Sequence, residues 1–243
     1  MVTPDLQIEA APAWQYALKR AMDIGAALAG LLLLAPLLLG LALAVWVCSG
    51  GPVIYREQRL GRHGKPFALY KFRTLYSGTA HQQSIAPEDD ARITRIGLPL
   101  RRTRLDELPQ LYNLLSGDMS LVGPRPIVQR HADALDASTR DALWSVRPGV
   151  TDPASVLFFA EDAVLAGRPN AEQDYLQVLL PVKAQVQLRY VQQWRLWLDI
   201  RTVFLTLARV WSPRARRDSM QRVQDILAAA GAMALPADRL APP

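Results

Sequence analysis

Residues 24–48 read IGAALAGLLLLAPLLLGLALAVWVC, an uncharged run of 25 residues near the start of the chain. A helix needs about 20 apolar residues to cross the hydrocarbon core of a bilayer, so this run is long enough to enter a membrane. A cleaved signal peptide fits poorly, because the run is too long and no small-residue cleavage site precedes a polar mature start. The sequence therefore predicts a membrane segment at residues 24–48, after a basic amphipathic lead-in at residues 1–23.

The charges on both sides of the run bear on its topology. Lys19 and Arg20 precede it, and Glu57 is the one acid among the charges that follow it closely. The following basic residues are Arg56, Arg59, Arg62, Lys65, Lys71 and Arg73. Because basic flanks favour the cytoplasmic side, both ends are expected there. This favours a segment that enters and leaves by the same face, and a plain transmembrane helix stays open as the alternative.

Pro36 stands at the centre of the run, directly after Ala35. Proline has no backbone N–H, and its ring clashes with the carbonyl four residues earlier, so a helix kinks or breaks there. Ala35 has no hydroxyl that could satisfy the freed carbonyl, and unpaired backbone groups are costly in hydrocarbon. We therefore predict a re-entrant helix broken at Ala35 and Pro36.

The composition indicates a single folded unit at a membrane surface. Of 243 residues, 50% are hydrophobic, and the net charge of +6 favours anionic partners such as phospholipid headgroups, nucleotides or nucleic acid. Cys48 is the single cysteine, which excludes an intramolecular disulfide. Because no repeat or low-complexity linker divides the chain, we predict one domain at residues 49–211 and a tail of unassigned role at residues 212–243.

The pattern after the membrane run predicts an α+β fold that is predominantly helical. Strand-forming residues around Gly61 and Gly64 indicate a small β-hairpin. Residues 77–90 are predicted to be a loop. Residues 91–116 are predicted to be helical with an interruption at Gly97 and Pro99, and residues 128–145 are another helical candidate.

Residues 183–211 place apolar side chains at helical spacing among arginines, and they include Trp194, Trp197 and Trp211. Indoles and arginine stems suit the membrane interface, so we predict amphipathic interfacial helices here. An ordinary amphipathic core helix is the alternative.

Residues 101–126 read RRTRLDELPQLYNLLSGDMSLVGPRP and contain the adjacent acids Asp106 and Glu107. Neighbouring residues on a helix diverge by about 100°, so the two carboxylates are expected to have different roles. One can act on phosphorus as nucleophile or base, while the other holds a hard cation such as Mg²⁺. Pro109 predicts that the pair lies at a helix N-terminus. Alternatively, both acids simply cap a solvated helix and pair with nearby arginines.

Several basic residues are candidates for binding an anionic ligand. Arg101 and Arg104 flank the acids, and a guanidinium group grips phosphate oxygens in a bidentate manner. Arg125 stands between two prolines that pre-position its backbone, which favours a ligand contact. Lys71 and Arg73 alternate in a strand-like segment, so they are expected to share one face, directed either at phosphate or at water.

Short motifs spread along the chain carry a specific resemblance. In order they are Lys19-Arg20-x-x-Asp23, Gly51-Pro52-Val53, Arg59-x-Gly61, Tyr70-Lys71-Phe72-Arg73, Thr103-x-x-Asp106-Glu107-Leu108-Pro109-Gln110-Leu111, Gly117-Asp118-Met119-Ser120, Gly123-Pro124-Arg125-Pro126 and Arg147-Pro148-Gly149. From about Lys19 to Trp211, the chain resembles the bacterial sugar transferase family of monotopic phosphoglycosyl transferases, whose membrane helix is re-entrant.

The resemblance implies an enzyme that transfers a phosphosugar from a UDP-sugar to polyprenyl phosphate, such as undecaprenyl phosphate, and releases UMP. Its catalytic domain would lie on the cytoplasmic face of the bacterial inner membrane, where the reaction would start a surface-glycan pathway. By the same matching, Asp106 would form a covalent phosphosugar intermediate and Glu107 would bind Mg²⁺. Arg101 and Arg125 would hold phosphate or nucleotide. The remaining candidate substrate-binding residues are Lys71, Arg73, Arg104 and Arg147.

The expected partners are therefore a UDP-sugar, polyprenyl phosphate and membrane lipid. Nucleic acid is not expected, because the uncharged run fits poorly with a soluble nucleic-acid binder. A non-catalytic, membrane-tethered scaffold that binds nucleotide sugars is the alternative, and the intact pair of acids argues against it. The sequence leaves open the sugar, a homo-oligomer and contacts with downstream glycosyltransferases.

Two positions depart from the common pattern of the family. Many members have serine where this chain has Ala35, so the break rests on Pro36 alone. Many members also continue Arg-Pro-Gly-x-Thr-Gly, whereas here Thr151 is followed by Asp152 and Pro153. This second departure is expected to affect the sugar end of the pocket.

Overall fold

A computed structural model describes residues 11–76, 78, 86–166, 168–210 and 212–234. Parts of the predicted lead-in, the 77–90 loop and the tail therefore lie outside the described residues, as does Trp211. The helices are α1 Ala13–Leu33, α2 Ala35–Ser49, α3 Gly97–Arg102, α4 Gln110–Ser116, α5 Gln129–Asp133, α6 Ala137–Trp144, α7 Pro153–Leu157, α8 Glu161–Leu165, α9 Ala171–Asp174, α10 Leu180–Gln192, α11 Leu196–Val210 and α12 Pro213–Ala234. The strands are β1 Ile54–Leu60, β2 Pro66–Phe72, β3 Ser120–Val122 and β4 Gly149–Thr151.

The apolar run forms two helices, α1 and α2, that are bent by 65° relative to each other. Leu34 is the residue between them, and Pro36 is the second residue of α2. The bend follows from proline chemistry, because Pro36 has no N–H to offer the carbonyl of Leu32. The predicted break is confirmed, and it begins at Leu34. Among the described residues, only this bent pair, and no single helix, meets the length and hydropathy expected of a membrane span.

The start of α1 is fastened to the domain that follows the membrane run. Lys19 Nζ donates to the carbonyl of Val122 at 2.7 Å and lies 2.5 Å from Asp199 Oδ2. The buried Asp23 accepts the backbone N–H of Leu121 at 2.8 Å. Residues that looked like a basic membrane flank in the sequence therefore have structural partners inside the fold.

The predicted hairpin is confirmed as the antiparallel pair β1–β2, in which Ile54 faces Phe72 and Leu60 faces Pro66. Gly64 turns the chain with φ of 69° and lies against the ring of Trp144. A positive φ is cheap for glycine, so this residue suits the tight turn between the strands.

A second, parallel pair, β3–β4, was not predicted from the sequence. Ser120 pairs with Gly149 and Val122 pairs with Thr151. The Gly-Pro-Arg-Pro and Arg-Pro-Gly turns contact each other beside this pair, because the backbone N–H of Gly149 donates to the carbonyl of Pro124 at 3.0 Å. This contact holds the backbone next to Arg125.

Replacing Gly149 with alanine is expected to lower the free energy of unfolding by about 3 kcal/mol. The added Cβ would lie 2.6 Å from the carbonyl oxygen of Thr151 and still closer to the backbone of Gly123, which cannot move aside cheaply. Gly25→Ala is the matched control, because its Cβ meets nothing within 4 Å and alanine favours a helix. Thermal unfolding in detergent measures both, and equal melting temperatures would contradict the close packing of β3 and β4.

The segment predicted as interfacial helices is divided into α10 and α11, with a break at residues 193–195. Trp194 at this break is only 5% exposed, so it belongs to the core, whereas Trp197 is 67% exposed. Phe204 and Leu207 are exposed on α11 as well. The core-helix alternative therefore describes α10, and an exposed apolar face is confined to α11.

The main hydrophobic core lies among the C-terminal helices and includes Leu179, Val191 and Val223. A smaller cluster joins α1 to α4 and β2 through Ala27, Leu114 and other residues. The tail without an assigned role contains α12, which packs on the core and reaches Ala234. Two helical candidates need correction. Residues 91–96 are not helical, and the interruption predicted at Gly97 and Pro99 is wrong, because both residues lie in the first turn of α3, where proline is tolerated. Residues 128–145 contain the two short helices α5 and α6.

Candidate active site

Asp106 and Glu107 lie on a single 3-10 turn, Leu105–Glu107, that precedes α4. Arg104 begins this turn with φ of 58°, in the left-handed region that non-glycine residues adopt rarely. The acids were predicted to lie at a helix N-terminus, and they occupy the turn directly before one, since α4 starts after Pro109. The alternative of solvated capping acids is wrong, because the two residues are 7% and 9% exposed.

Glu107 is clamped by arginine. Arg125 donates from Nη1 to Oε2 at 3.2 Å and from Nη2 to Oε1, and Arg104 Nη1 lies 3.6 Å from Oε1. Burial alone would raise the pKa of Glu107, but the charges of Arg125, Lys71 and Arg104 outweigh it and hold that pKa well below its ordinary value. Glu107 is therefore a carboxylate at neutral pH.

Asp106 has a different environment although it is the next residue. Its buried Oδ1 has no hydrogen-bond partner within the described part of the chain. Burial, reinforced by the neighbouring charge of Glu107, raises the pKa of Asp106 to about 6. One acid is thus held by two cations, while the other presents a poorly solvated oxygen that can react.

A strand pair supplies the next charges around the dyad. Lys71 on β2 lies 3.9 Å from Glu57 on β1, and Arg59 donates to Glu57 at 2.7 Å and to the carbonyl of Pro126 at 3.1 Å. Burial lowers the pKa of Lys71. The attraction of Glu57 and Glu107 acts in the opposite direction but does not outweigh burial. Sequence analysis did not single out Glu57 or Arg59 for the site. Their period-two spacing on a predicted strand was the signal that could have placed them on one face.

Arg101 and Arg104 lie beside the dyad, as predicted, and each is held by a backbone carbonyl. Arg101 Nη2 donates to Ala86 at 2.5 Å and lies 3.7 Å from Asp162, while Arg104 donates to Phe159 at 3.1 Å. Both positive charges favour the ionised form of Asp106.

Arg73 and Arg147 are placed at helix ends instead. Arg73 donates to the carbonyls of Ser49 and Gly51 at 2.5 and 2.8 Å, where α2 ends. Arg147 donates from Nε to the carbonyl of Gly117 at 2.9 Å, where α4 ends. Arginines at helix C-termini satisfy free carbonyls and complement the dipole. The structure therefore gives both a structural role and does not group them with Lys71 and Arg125.

Asp152, one of the departures from the family pattern, is fully buried. It accepts the backbone N–H of Arg125 at 3.2 Å and that of Ser155 at 2.5 Å, and it accepts from the amide of Gln187 as well. Asp152 therefore caps α7 and supports the backbone that carries Arg125.

Comparison with known proteins identifies the family. The model of the bacterial sugar transferase family matches residues 14–213. The chain is 38% identical over 192 residues to UDP-glucose:undecaprenyl-phosphate glucose-1-phosphate transferase of Caulobacter vibrioides, covering 78% of this chain and 68% of that protein. The chain therefore belongs to the bacterial sugar transferase family.

Two further relatives are longer proteins. The Escherichia coli protein named UDP-glucose:undecaprenyl-phosphate glucose-1-phosphate transferase is 39% identical over 78% of this chain and 39% of its own length. The Aeromonas hydrophila protein named UDP-N-acetylgalactosamine-undecaprenyl-phosphate N-acetylgalactosaminephosphotransferase is 36% identical over 78% of this chain and 43% of its own length. The chain thus spans about two fifths of these relatives.

Proposed function

We propose that this protein transfers a phosphosugar from a UDP-sugar to undecaprenyl phosphate, releases UMP, and thereby starts a bacterial surface-glycan pathway. The names of the relatives support the two substrates. The observation that carries the proposal is the unequal environment of the two acids: Asp106 presents an unbonded, buried oxygen, while Glu107 is clamped by Arg125. A pair of acids whose environments separate their pKa values is typical of divided catalytic roles.

In the proposed reaction, a carboxylate oxygen of Asp106 attacks the sugar-linked phosphorus of the UDP-sugar. An O–P bond forms, the bond between the two phosphoryl groups breaks, and UMP leaves with the electron pair. A phosphate oxygen of undecaprenyl phosphate then attacks the same phosphorus and releases Asp106. Covalent catalysis suits this transfer, because two bulky substrates can use one site in turn.

The charged neighbours have separate tasks in this scheme. Arg101, Arg104 and Lys71 stabilise the ionised nucleophile and attract the diphosphate. Arg125 presents a guanidinium fork that is oriented by Glu107, and such a fork can hold phosphoryl oxygens in a bidentate manner. Preorganised positive groups of this kind stabilise charge that develops in phosphoryl transfer.

We also propose that Mg²⁺ binds here, with Glu107 as its main protein ligand and Asp106 beside it. No cluster of three or more metal-ligating side chains is found in the described ranges. Mg²⁺ needs only one or two carboxylates when substrate phosphates complete its shell, so the pair of acids fits. Glu107 must then share its carboxylate between the ion and Arg125. When bound, Mg²⁺ would neutralise the diphosphate and ease departure of UMP.

The bent helix pair is proposed to be re-entrant. Arg20, early in α1, donates to the carbonyl of Leu114 at 2.6 Å, and Gly30 lies against the side chain of Leu111. Both partners belong to α4, which comes after the membrane run, and these contacts support the proposal that α1 begins on the same side as the catalytic domain. Around the bend, Leu32 and Leu39 are 77% and 73% exposed, which suits contact with lipid. The exposed face of α11 would lie in the interface.

Cysteine labelling of intact cells tests this topology. In a Cys48→Ser background, single cysteines at Ala13 and Lys65, both exposed positions, are treated with a membrane-impermeant thiol reagent. Both should be protected in intact cells and react after lysis. Labelling of one but not the other in intact cells would mean a spanning helix.

The activity itself is tested by UMP release from the purified full chain in detergent with Mg²⁺, undecaprenyl phosphate and a panel of UDP-sugars. A panel is needed because the relatives are named for different sugars. We expect release with at least one sugar, and a stoichiometric burst without the lipid acceptor. Binding of UDP-sugars without UMP release from any of them would favour a non-catalytic scaffold.

The rate of UMP release is expected to fall tenfold per pH unit below about pH 6, because the nucleophile must be ionised. Burial raises the pKa of Asp106 to about 6, above its ordinary value of 3.8, so protonation inactivates it in this range. The dependence of kcat/KM on pH, measured at decreasing Mg²⁺ concentrations and extrapolated to zero, reports this inflection, because a cation bound beside Asp106 would itself lower the pKa. Lys71→Met should move it to higher pH, since Lys71 favours the carboxylate. An inflection near pH 4, the ordinary range of aspartate, would show that Asp106 is well solvated.

A further inference from the structure

The last described helix, α12, brings one more arginine to the neighbourhood of the dyad. It begins at Pro213, where the family match ends, so that match does not account for its contacts. The helix packs closely on the rest of the fold, because Ser219 and Val223 are fully buried. Ser219 Oγ accepts the N–H of Ala160 at 3.1 Å and donates to the carbonyl of Leu157 at 3.0 Å. These contacts hold the start of α12 against the segment between α7 and α8.

Arg216 lies one turn before Ser219 and lines a recess beside the active site. The charged residues of the recess are Glu88, Arg101, Arg102, Arg104, Asp162 and Arg216. Four arginines thus face two carboxylates, which leaves an excess of positive charge. Arg104 lines the recess and also lies 3.6 Å from Glu107, so the recess and the dyad share this arginine.

One carboxylate holds two of these arginines together. Arg216 Nη2 lies 2.5 Å from Glu88 Oε1, while Arg102 donates from Nε and Nη2 to Glu88 Oε2 at 3.1 and 2.9 Å. Each oxygen of Glu88 is therefore used by a guanidinium from a different helix. A phosphoryl group offers the same array of anionic acceptors, with one oxygen more.

We propose that α12 completes an anion-binding recess in which Arg216 and Arg102 hold a substrate phosphoryl group that displaces Glu88. Glu88 is then an internal counter-ion that keeps both arginines in place before the ligand arrives. The assignment rests on the proposed function, which puts a diphosphate at Asp106 and a lipid phosphate after it. Both substrates carry the chemistry that the recess would bind.

Binding measurements on the full chain in detergent separate the two sources of phosphate. Isothermal titration with UDP probes the nucleotide, and titration with farnesyl phosphate probes the lipid acceptor. Arg216→Gln is expected to weaken binding of one of these probes about tenfold, because a charge-assisted hydrogen bond is lost. The probe whose binding weakens identifies the substrate whose phosphoryl group the recess holds. Glu88→Gln should tighten the same probe about threefold, since a competing ion pair is removed.

Arg217→Gln is the matched control, because it removes the same charge from an exposed position next to Arg216 and should change neither affinity. Equal affinities for Arg216→Gln and Arg217→Gln would overturn the proposal, and so would failure of the parent to bind either probe. Weaker binding in Glu88→Gln would mean that the ion pair is only structural. If the parent binds UDP but never releases UMP, the proposed function is contradicted. The effect of Arg216→Gln on UDP binding would still test the recess.

Discussion

Asp106→Asn is expected to lower the rate of UMP release by about 10³-fold or more, the scale seen when a covalent nucleophile is removed. The amide is nearly isosteric with the carboxylate but cannot attack phosphorus. Intact-mass analysis of the parent with a UDP-sugar and without the lipid acceptor should show a phosphosugar adduct that this variant lacks. An adduct in the variant, or undiminished UMP release, would remove Asp106 from the proposed role.

Stability measurements distinguish a catalytic loss of UMP release in Asp106→Asn from misfolding of the variant. The pKa of Asp106 is raised by folding, so its contribution to stability is fully present below about pH 4 and is lost as the pH rises through about 6. At neutral pH the ionised side chain therefore costs stability, and the melting temperature of Asp106→Asn should be no lower than that of the parent. Asp141→Asn, an exposed acid on α6, serves as the control and should retain both activity and stability.

The features predicted correctly from the sequence depend on local chemistry. Pro36 breaks a helix wherever it stands in an apolar run, and alternation around Gly61 and Gly64 specifies a hairpin from neighbouring residues. The adjacency of Asp106 and Glu107 likewise predicted that the two carboxylates have different surroundings. Their position on a short turn before α4 was not predictable, because Pro109 is compatible with a first helical turn or with the residue before one.

The features that were missed depend on contacts between distant segments. The parallel pairing of β3 with β4 joins residues about 30 positions apart through strands of three residues each, too short to give a periodic signal. The role of an arginine in a motif also depends on contacts with distant segments, which the sequence alone does not show. Arg73 and Arg125 both looked like phosphate ligands, yet one serves a helix end and the other the dyad, which only the folded chain distinguishes. The break at residues 193–195 contains neither glycine nor proline.

Arg125→Met is expected to impair both stability and activity, because it leaves the buried Glu107 with only the weaker attraction of Lys71 and Arg104. Removal of one member of a buried ion pair costs about 3–5 kcal/mol. Since the side chain of Arg125 is 26% exposed, we expect about 2 kcal/mol after allowing for solvent screening. For a chain of this size, that corresponds to a melting temperature lower by about 5 °C. The rate of UMP release should fall about 10²-fold, through loss of a guanidinium at the transferred phosphoryl group.

A second substitution separates the two effects. In Arg125→Met combined with Glu107→Gln, no stranded charge remains, so part of the lost melting temperature should return while UMP release stays low. Arg125→Lys keeps the charge but not the bidentate fork, so it should preserve most of the stability and still lose activity. Because the double variant also lacks Glu107, the proposed Mg²⁺ ligand, it reports on stability only, and Arg125→Lys carries the test of activity. Inactivity of Arg125→Lys at parent-like stability is expected if the guanidinium fork contacts the substrate phosphate, and full activity would mean that the charge alone suffices.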